Sequence, residues 1–201
     1  MEPIIINDRI SYYESLEDPL SSDVIIVRGD STIWLYDVGN SPLVTAGLNS
    51  LPGPKQVILS HFHPDHSGAL SKTDYDVLLV GNNTRKYTKE GTIVSDTITV
   101  KDGVHISVHP FPSSHAKGSL ALGCDEYLFA GDGLYTAAKE GRYFYNVSIL
   151  TAQIAFFKEH RFKYIGLSHR KPFIVSYEEV FDFLQKILSL KQPGSPYICI
   201  N

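Results

Sequence analysis

The chain is poor in the features that mark secreted, membrane and nucleic-acid-binding proteins. Its only two cysteines, Cys124 and Cys199, lie far apart and form no motif, so we expect reduced thiols and a cytoplasmic location. The N-terminus has no basic region followed by a long apolar core, and no apolar run approaches the ~20 residues that span a bilayer. The net charge of −4 makes nucleic-acid binding unexpected, although a nuclease with a local basic patch stays open.

The composition fits one ordinary globular domain. Hydrophobic residues make up 43% and charged residues 20% of the 201 residues, which can bury one good core but are few for two. No internal repeat, low-complexity segment or linker interrupts the sequence. We therefore expect residues 1–201 to form a single domain.

Hydrophobic patterning predicts strands first and helices interleaved afterwards. Strands are predicted over 23–27, 33–36, 56–60, 76–80, 92–101, 104–109 and 164–167, with a turn at Asp102-Gly103. The polar stretch 82–90 could hold a helix. Apolar residues at helical spacing predict two further helices, one after an Asn146 cap and one after Ser176, the second ending at Pro193-Gly194.

Three histidines are expected to have no part in metal binding. Strand alternation places His105 and His109 on the polar face of the strand over 104–109, where we expect them to be solvated. His160 lies near a predicted helix C-terminus, where a partly positive imidazole suits the helix dipole.

The segment from His61 to His66 carries most of the chemical information in the chain. It reads His-Phe-His-Pro-Asp-His and directly follows a predicted strand. Imidazoles at 61 and 63 can reach one cation, while the carboxylate and imidazole at 65 and 66 can reach a second cation beside it. Pro64 stiffens the turn that presents them. A chance cluster is the alternative, because the chain has 8 histidines, but the spacing and the preceding strand favour a metal site.

Further ligands occur where later strands are predicted to end. His115 precedes a small-residue loop, Asp132 follows an apolar run, and His169 follows the strand over 164–167. Each of these alone is explained equally well as a turn residue. Their order and context, taken jointly with the first segment, favour a site with two metals.

Together these motifs resemble the metallo-β-lactamase superfamily from about Val24 to the C-terminal helix. The motifs are, in order, Asp37 after an early strand, the His-x-His-x-Asp-His segment, His115, the Gly-Asp pair that ends at Asp132, and His169. The resemblance implies an α/β fold, a four-layer αββα sandwich of two mixed β-sheets flanked by helices, with the metals at one edge.

The same resemblance implies a ligand set for each metal. One metal would be held by His61, His63 and His115, the other by Asp65, His66 and His169, with Asp132 bridging them. Asp37 would orient the His-rich loop through hydrogen bonds, unless it is an ordinary turn residue. We expect two Zn²⁺ per chain, with Fe or Mn as the alternative metals.

The predicted function is hydrolysis of an ester, thioester or lactone of a small molecule. Two cations sharing one water would lower its pKa and give a bridging hydroxide. Asp65 would hold this hydroxide in position, and Asp132 would bridge the two metals. As in lactonases of the superfamily, Tyr135 could donate to a developing oxyanion, although packing also explains an aromatic residue there. The cations Lys117, Arg170 and Lys171 either bind an anionic group of the substrate or are solvated surface residues.

Several branches of the superfamily fit the sequence poorly. A carboxylate at Asp132 argues against a true β-lactamase, whose best-known classes have Cys there, and Cys124 lies eight residues too early. Because the sequence ends soon after its last predicted helix, we do not expect the C-terminal helical domain of glyoxalase II or the inserted domain of the RNA-cleaving and DNA-repair branches. It has His63 where flavodiiron oxygen reductases usually have Glu.

Three alternatives to this hydrolase stay open. One is a phosphodiesterase or nuclease that uses the same metals, and another is a mononuclear iron dioxygenase like the persulfide dioxygenases. The third is a scaffold without catalysis, which is disfavoured because all seven ligand positions carry competent side chains.

Overall fold

Strands and helices alternate through residues 1–200, the part of the chain that the computed structural model describes. The strands up to residue 101 are β1 (Ile4–Ile5), β2 (Ile10–Tyr13), β3 (Leu16–Glu17), β4 (Leu20–Ser21), β5 (Val24–Arg28), β6 (Ile33–Tyr36), β7 (Lys55–Ile58), β8 (Val77–Val80), β9 (Thr92–Ile93) and β10 (Ile98–Lys101). The later strands are β11 (His105–Phe111), β12 (Ser119–Cys124), β13 (Tyr127–Phe129), β14 (Ala137–Lys139), β15 (Arg142–Asn146), β16 (Tyr164–Gly166), β17 (Ile174–Ser176) and β18 (Tyr197–Ile200). The helices are α1 (Pro42–Ser50), α2 (Pro64–Ser67), α3 (Asn82–Thr88), α4 (Val147–Glu159) and α5 (Tyr177–Ser189), with a 3₁₀ turn at Leu70–Lys72. None of these helices is both long and apolar enough to cross a membrane.

Two mixed sheets pack face to face. The first has the strand order β1-β2-β5-β6-β7-β8-β9, and its β6 to β9 neighbours are parallel. The second has the order β10-β11-β12-β13-β16-β17, and β13 with β16 is its parallel pair. Helix α1 covers the outer face of the first sheet, and helices α4 and α5 cover the outer face of the second. The predicted four-layer αββα sandwich is confirmed.

Strand alternation explains how the first sheet serves two cores at once. Along β5, Ile25 and Val27 point into the core between the sheets, whereas Val24 and Ile26 point toward α1. A strand buried on both faces needs apolar residues at successive positions, and residues 24–27 read Val-Ile-Ile-Val.

Both predicted helix starts in the last third are confirmed. The Asn146 side chain accepts a hydrogen bond from the backbone N–H of Ile149 at the start of α4. The Ser176 hydroxyl accepts one from Glu179 N–H at the start of α5. The buried residues Val180, Leu184 and Ile187 then form the apolar stripe of α5.

The predicted strand over 92–101 is wrong, because the chain changes sheets within it. Thr92–Ile93 pairs with β8 in the first sheet, and Ile98–Lys101 pairs with β11 in the second. The intervening residues cross from one sheet to the other. The turn at Asp102-Gly103 is confirmed, and its Asp102 carboxylate accepts hydrogen bonds from the backbone N–H groups of Ser31 and Thr32, in the turn between β5 and β6.

The expectation that His109 is solvated is also wrong. Helix α4 and the loop after it cover the polar face of β11, so the His109 ring contacts Phe156, His160 and Phe162 and is only 3% exposed. Its two ring nitrogens lie 3.1 Å from the Thr97 hydroxyl and 2.8 Å from the Ser107 hydroxyl. His105 is exposed, as predicted.

We predict that His109 makes folding stability sensitive to acid. Burial, and then nearby His160, lowers the pKa of His109 from its ordinary 6.5 to about 4. The unfolded chain therefore binds this proton first, and stability present above pH 6.5 is lost as the pH falls toward 4. In urea denaturation of chelator-treated protein, His109→Gln should reduce the loss of unfolding free energy between pH 7 and pH 5 by about 2 kcal/mol.

The His105→Gln variant is the control for this experiment, since that side chain is exposed on the same strand. Both variants should keep the wild-type metal content. An equal loss of stability in wild type and His109→Gln would contradict the prediction.

Candidate metal centre

The carboxyl ends of four strands converge at one edge of the sandwich. Asp37 directly follows β6, and the segment from His61 to His66 follows β7 after two residues. In the second sheet, the parallel strands β13 and β16 precede Asp132 and His169 in the same way. Parallel strands deliver the residues after their carboxyl ends to the same edge, which brings positions distant in sequence together.

A short helical turn shapes the His-rich segment. Pro64 is the first residue of α2, where its missing N–H and fixed φ suit a helix start. The backbone N–H groups of His66 and Ser67 both donate to the His63 carbonyl at 3.0 Å. The turn therefore separates the side chains of this segment into two sets. His61 and His63 belong to one group of possible metal ligands, and Asp65 and His66 belong to the other.

The first group of possible ligands is His61, His63 and His115, whose ligand atoms lie within 4.8 Å of one another. His115 Nε2 is 2.9 Å from His63 Nδ1. The loop that carries His115 is fixed by a close approach of two backbones, because a Cβ on Gly81 would lie 1.7 Å from the Gly118 carbonyl oxygen. Only glycine at position 81 allows this contact.

The second group is Asp65, His66, Asp132 and His169, with the same spacing limit of 4.8 Å. His169 Nε2 lies 3.0 Å from Asp65 Oδ2. Asp132 Oδ2 lies 3.4 Å from His66 Nε2 and 3.3 Å from His115 Nε2, a member of the first group. One carboxylate oxygen thus stands between the two groups.

Two ring nitrogens and one carboxylate oxygen in these groups are buried and have no hydrogen-bond partner in residues 1–200 of the protein. His61 Nε2, His66 Nε2 and Asp132 Oδ1 lack any hydrogen bond in the described structure. Buried polar atoms are costly when they are unpaired, and native proteins usually satisfy them with protein, water or an ion. Imidazole nitrogen and carboxylate oxygen are also the donors that Zn²⁺ and Fe²⁺ accept, so the residues present fit bound divalent cations.

The opposite nitrogens of the same rings are held by a buried network. Asp37 Oδ2 lies 2.7 Å from His66 Nδ1 and accepts from the Ser60 hydroxyl at 2.7 Å. Asp37 Oδ1 accepts from the Ser60 backbone N–H, also at 2.7 Å, and the Ser60 hydroxyl lies 2.9 Å from His61 Nδ1. With Nδ1 engaged in this way, Nε2 of each ring is left to act as a ligand.

Burial and charge separate the pKa values of these two histidines. Burial, followed by the other imidazoles of the site, lowers the pKa of His61 to about 2, so its ring is neutral. Burial also opposes the charged form of His66, but the Asp37 and Asp132 carboxylates outweigh it and raise the pKa of His66 to about 10. Since metals bind neutral imidazole, a cation binding to His66 must displace a proton.

Comparison with solved structures identifies the architecture. The chain is similar to an archaeal metallo-β-lactamase superfamily protein from Sulfolobus tokodaii (19% identity, 93% of this chain and 90% of that chain covered, TM-score 0.63). It is similar to a metallo-β-lactamase from Pontibacter korlensis (15% identity, 92% and 98% covered, TM-score 0.67). It is also similar to the chemotaxis sensor ODP, solved as a peroxy diiron species (13% identity, 95% and 96% covered, TM-score 0.70). The chain has the metallo-β-lactamase fold.

At these identities the likeness establishes the metallo-β-lactamase fold and leaves the reaction open. No protein-family model and no curated protein matches the chain. The resemblance first stated from the sequence motifs is confirmed by the fold and by the histidine and aspartate cluster. The role of each of the seven side chains in binding metal stays a prediction.

On this fold, the loop that carries His169 is anchored from the far end of the chain. His169 has a left-handed backbone with φ of 60°, and its N–H donates to Asp23 Oδ2 at 2.9 Å. Asp23 Oδ1 accepts from Ser15 N–H, and the neighbouring Ser22 N–H donates to the Asp65 carbonyl. Hydrogen bonds from residues 15–23 therefore fix the backbone at His169 and Asp65, two members of the second group of ligands.

The predicted substrate-contacting residues lie close to the metal-ligand groups. Tyr135 follows Asp132 by one turn, and its hydroxyl donates to the Ser168 carbonyl next to His169. A bond from Tyr135 to substrate would therefore have to replace this one. Two of the three predicted anion-binding cations are paired, since Arg170 binds Glu179 and Lys171 lies 3.2 Å from Glu14.

Lys117 is the third of these cations. It is exposed beside His115 and has no ion pair among residues 1–200. It is therefore a candidate for contact with an anionic group of a substrate.

Sequence reasoning missed two residues that hold the site together. Ser60 looks like a small residue at a strand end, although its position immediately before His61 was a usable signal. Asp23 was assigned to a strand, and nothing local connects it with His169, which is 146 residues away.

Proposed function

We propose that the protein is a metallo-hydrolase that uses two bound Zn²⁺ ions to cleave an ester, thioester or lactone of a small molecule. The observation that carries this proposal is the position of Asp132 Oδ2 between two groups of ligands, 3.3 Å from His115 Nε2 and 3.4 Å from His66 Nε2. A carboxylate shared in this way is suited to two neighbouring cations. The unpartnered nitrogens of His61 and His66 support the same arrangement.

Each ligand group would hold one metal. His61, His63 and His115 would hold the first, Asp65, His66 and His169 the second, and Asp132 both. Bound there, two divalent cations would supply Lewis acidity and a nucleophilic water at neutral pH. Asp37 and Ser60 would fix the orientation of the His61 and His66 rings.

In the proposed reaction, the C–O or C–S bond between the acyl and leaving groups breaks. The water hydroxyl goes to the acyl carbon, and its proton goes to the leaving group. Asp65, besides holding the second metal, is assigned the task of orienting this water. Burial, and then the nearby Asp132, raises the pKa of Tyr135 to about 12, which keeps its hydroxyl a hydrogen-bond donor at neutral pH.

The surface charges favour a small substrate over a nucleic acid. Glu179 and Glu14 pair with Arg170 and Lys171, so these two cations do not form a free basic strip beside the site. A nuclease needs several cations along its groove, because phosphate contacts supply most of the non-specific affinity.

Iron-dependent oxygen chemistry is the second candidate function. It is favoured by the likeness to the chemotaxis sensor ODP, which was solved as a peroxy diiron species. Histidine and carboxylate ligands suit iron as well as zinc, so the donor set alone does not separate the two functions.

Metal analysis combined with a substrate panel tests the proposal. Protein purified without added metal is expected to contain two zinc ions per chain by mass spectrometry. It should hydrolyse at least one of a set of chromogenic esters, thioesters and lactones, lose that activity with a chelator, and regain it with zinc. Two irons with an oxygen-dependent absorption band would establish the second candidate, and activity confined to phosphodiesters would refute the proposed substrate class.

A further inference from the structure

An apolar cavity of about 370 Å³ is lined in part by residues of the loops that carry Asp132 and His169. Its walls include the side chains of Leu134, Tyr145, Leu167, Val180 and Phe183. Phe183 on α5 is 45% exposed and Tyr145 on β15 packs edge-on against it, with ring centroids 6.3 Å apart. A partly exposed aromatic pair at an apolar cavity gives an open entrance for a ligand.

Two walls of this cavity belong to the loops that carry the ligands. Leu134 lies two residues after Asp132, and Leu167 lies two residues before His169. The two loops are joined, because Ser168 N–H donates to the Gly131 carbonyl at 3.1 Å. The hydroxyl of Tyr135, which also lines the cavity, donates to the Ser168 carbonyl in the same junction.

The charges at the cavity favour an uncharged occupant. Arg170 and Glu179 are the two ionic side chains of the lining, and they form an ion pair with each other. Their opposite charges cancel, so the cavity offers no net charge to attract an anion. An apolar group gains free energy on leaving water for such a site without giving up hydration of a charge.

We propose that this cavity binds the uncharged hydrocarbon group of the substrate, an acyl chain or a single aromatic ring, whose ester, thioester or lactone bond is cleaved at the metal centre. The inference rests on the proposed function, because it assigns a substrate class to the same site. The volume lies near the lower end of the range for small-molecule sites, which suits a group of moderate size.

A series of p-nitrophenyl esters tests the substrate class on the metal-loaded enzyme. From acetate to hexanoate, kcat/KM is expected to rise about tenfold or more, because each buried methylene adds to binding. Phe183→Ala should reduce the hexanoate-to-acetate ratio of kcat/KM about threefold or more by opening the wall of the cavity. Leu190→Ala, an equally exposed apolar residue at the end of α5, is the matched control and should keep the wild-type ratio.

A binding experiment does not depend on catalysis. Titration of the methyl-labelled, metal-loaded protein with hexan-1-ol should shift the NMR signals of Leu134, Leu167 and Val180, and Phe183→Ala should weaken these shifts. Ethanol at equal concentration should leave them unchanged.

The outcomes separate this inference from the proposed function. Ester hydrolysis with a flat chain-length profile, together with no shift at the cavity methyls, would overturn the inference while the hydrolase stands. Saturable shifts with no metal-dependent hydrolysis of any ester would refute the reaction and support the cavity as a hydrocarbon-binding site.

Discussion

Replacing Asp132 by alanine is expected to reduce the bound metal from two ions per chain to one or none and to lower kcat/KM by roughly 10³-fold, about 4 kcal/mol of transition-state stabilisation. Asp132 Oδ2 lies within 3.4 Å of a nitrogen from each ligand group, so its loss affects both groups at once. Metal content by mass spectrometry and turnover of the best ester from the panel measure the two effects.

The fold should survive this substitution. Asp132 lies in the turn after β13, outside any strand or helix, and Asp37 still pairs with His66 Nδ1 at 2.7 Å when Asp132 is removed. Circular dichroism and urea denaturation check this point. Asp182→Ala, an exposed aspartate on α5, should retain metal and turnover, and a wild-type metal content in Asp132→Ala would refute the shared-ligand assignment.

Replacing Asp37 by alanine is expected to affect both folding stability and metal affinity. The substitution leaves Ser60 N–H, the Ser60 hydroxyl and His66 Nδ1 without their carboxylate partner in a fully buried site. We expect a loss of about 3 kcal/mol in the free energy of unfolding, within the range for breaking a buried charge pair. Metal affinity should fall about 10–100-fold, because the His66 ring is no longer oriented.

Two further variants separate the causes in this experiment. Asp37→Asn keeps the size and one acceptor oxygen, so it should lie between wild type and alanine. Asp125 also has a positive φ, 48° against 62° at Asp37, and Asp125→Ala therefore reports the backbone cost at an exposed turn together with the loss of one hydrogen bond, which Asp125 Oδ1 accepts from His105 N–H. If a competing chelator finds equal metal affinity in Asp37→Ala and wild type, Asp37 has no role in orienting the ligand.

The cluster could be predicted because its information is local and ordered. His61 to His66 lie within one short segment after a strand, and His115, Asp132 and His169 each follow a recognisable strand end. The structure brings all seven into two adjoining groups. The αββα sandwich was predicted through the family resemblance, since strand order alone supports it only loosely.

The strands that were missed depend on tertiary contacts. Strand β12 reads Ser-Leu-Ala-Leu-Gly-Cys, without β-branched residues or alternation, and all six of its residues are buried between β11 and β13. Short strands such as β1 and β18 exist only because partners are available in β2 and β15. Burial on both faces also explains why His109 was misjudged, because the covering α4 is 38 residues further along the chain.

The left-handed backbone at Asp37 and His169 restricts how this protein can diverge. At each position a side chain with a particular chemistry must occupy a conformation that most residues adopt only at a cost of about 1 kcal/mol or more. Glycine would suit the main chain but remove the functional group, while most other residues would fail on both counts. Mutational drift should therefore be confined mainly to aspartate and asparagine at position 37 and to histidine, asparagine and aspartate at position 169, the side chains that tolerate this geometry and still offer a polar atom.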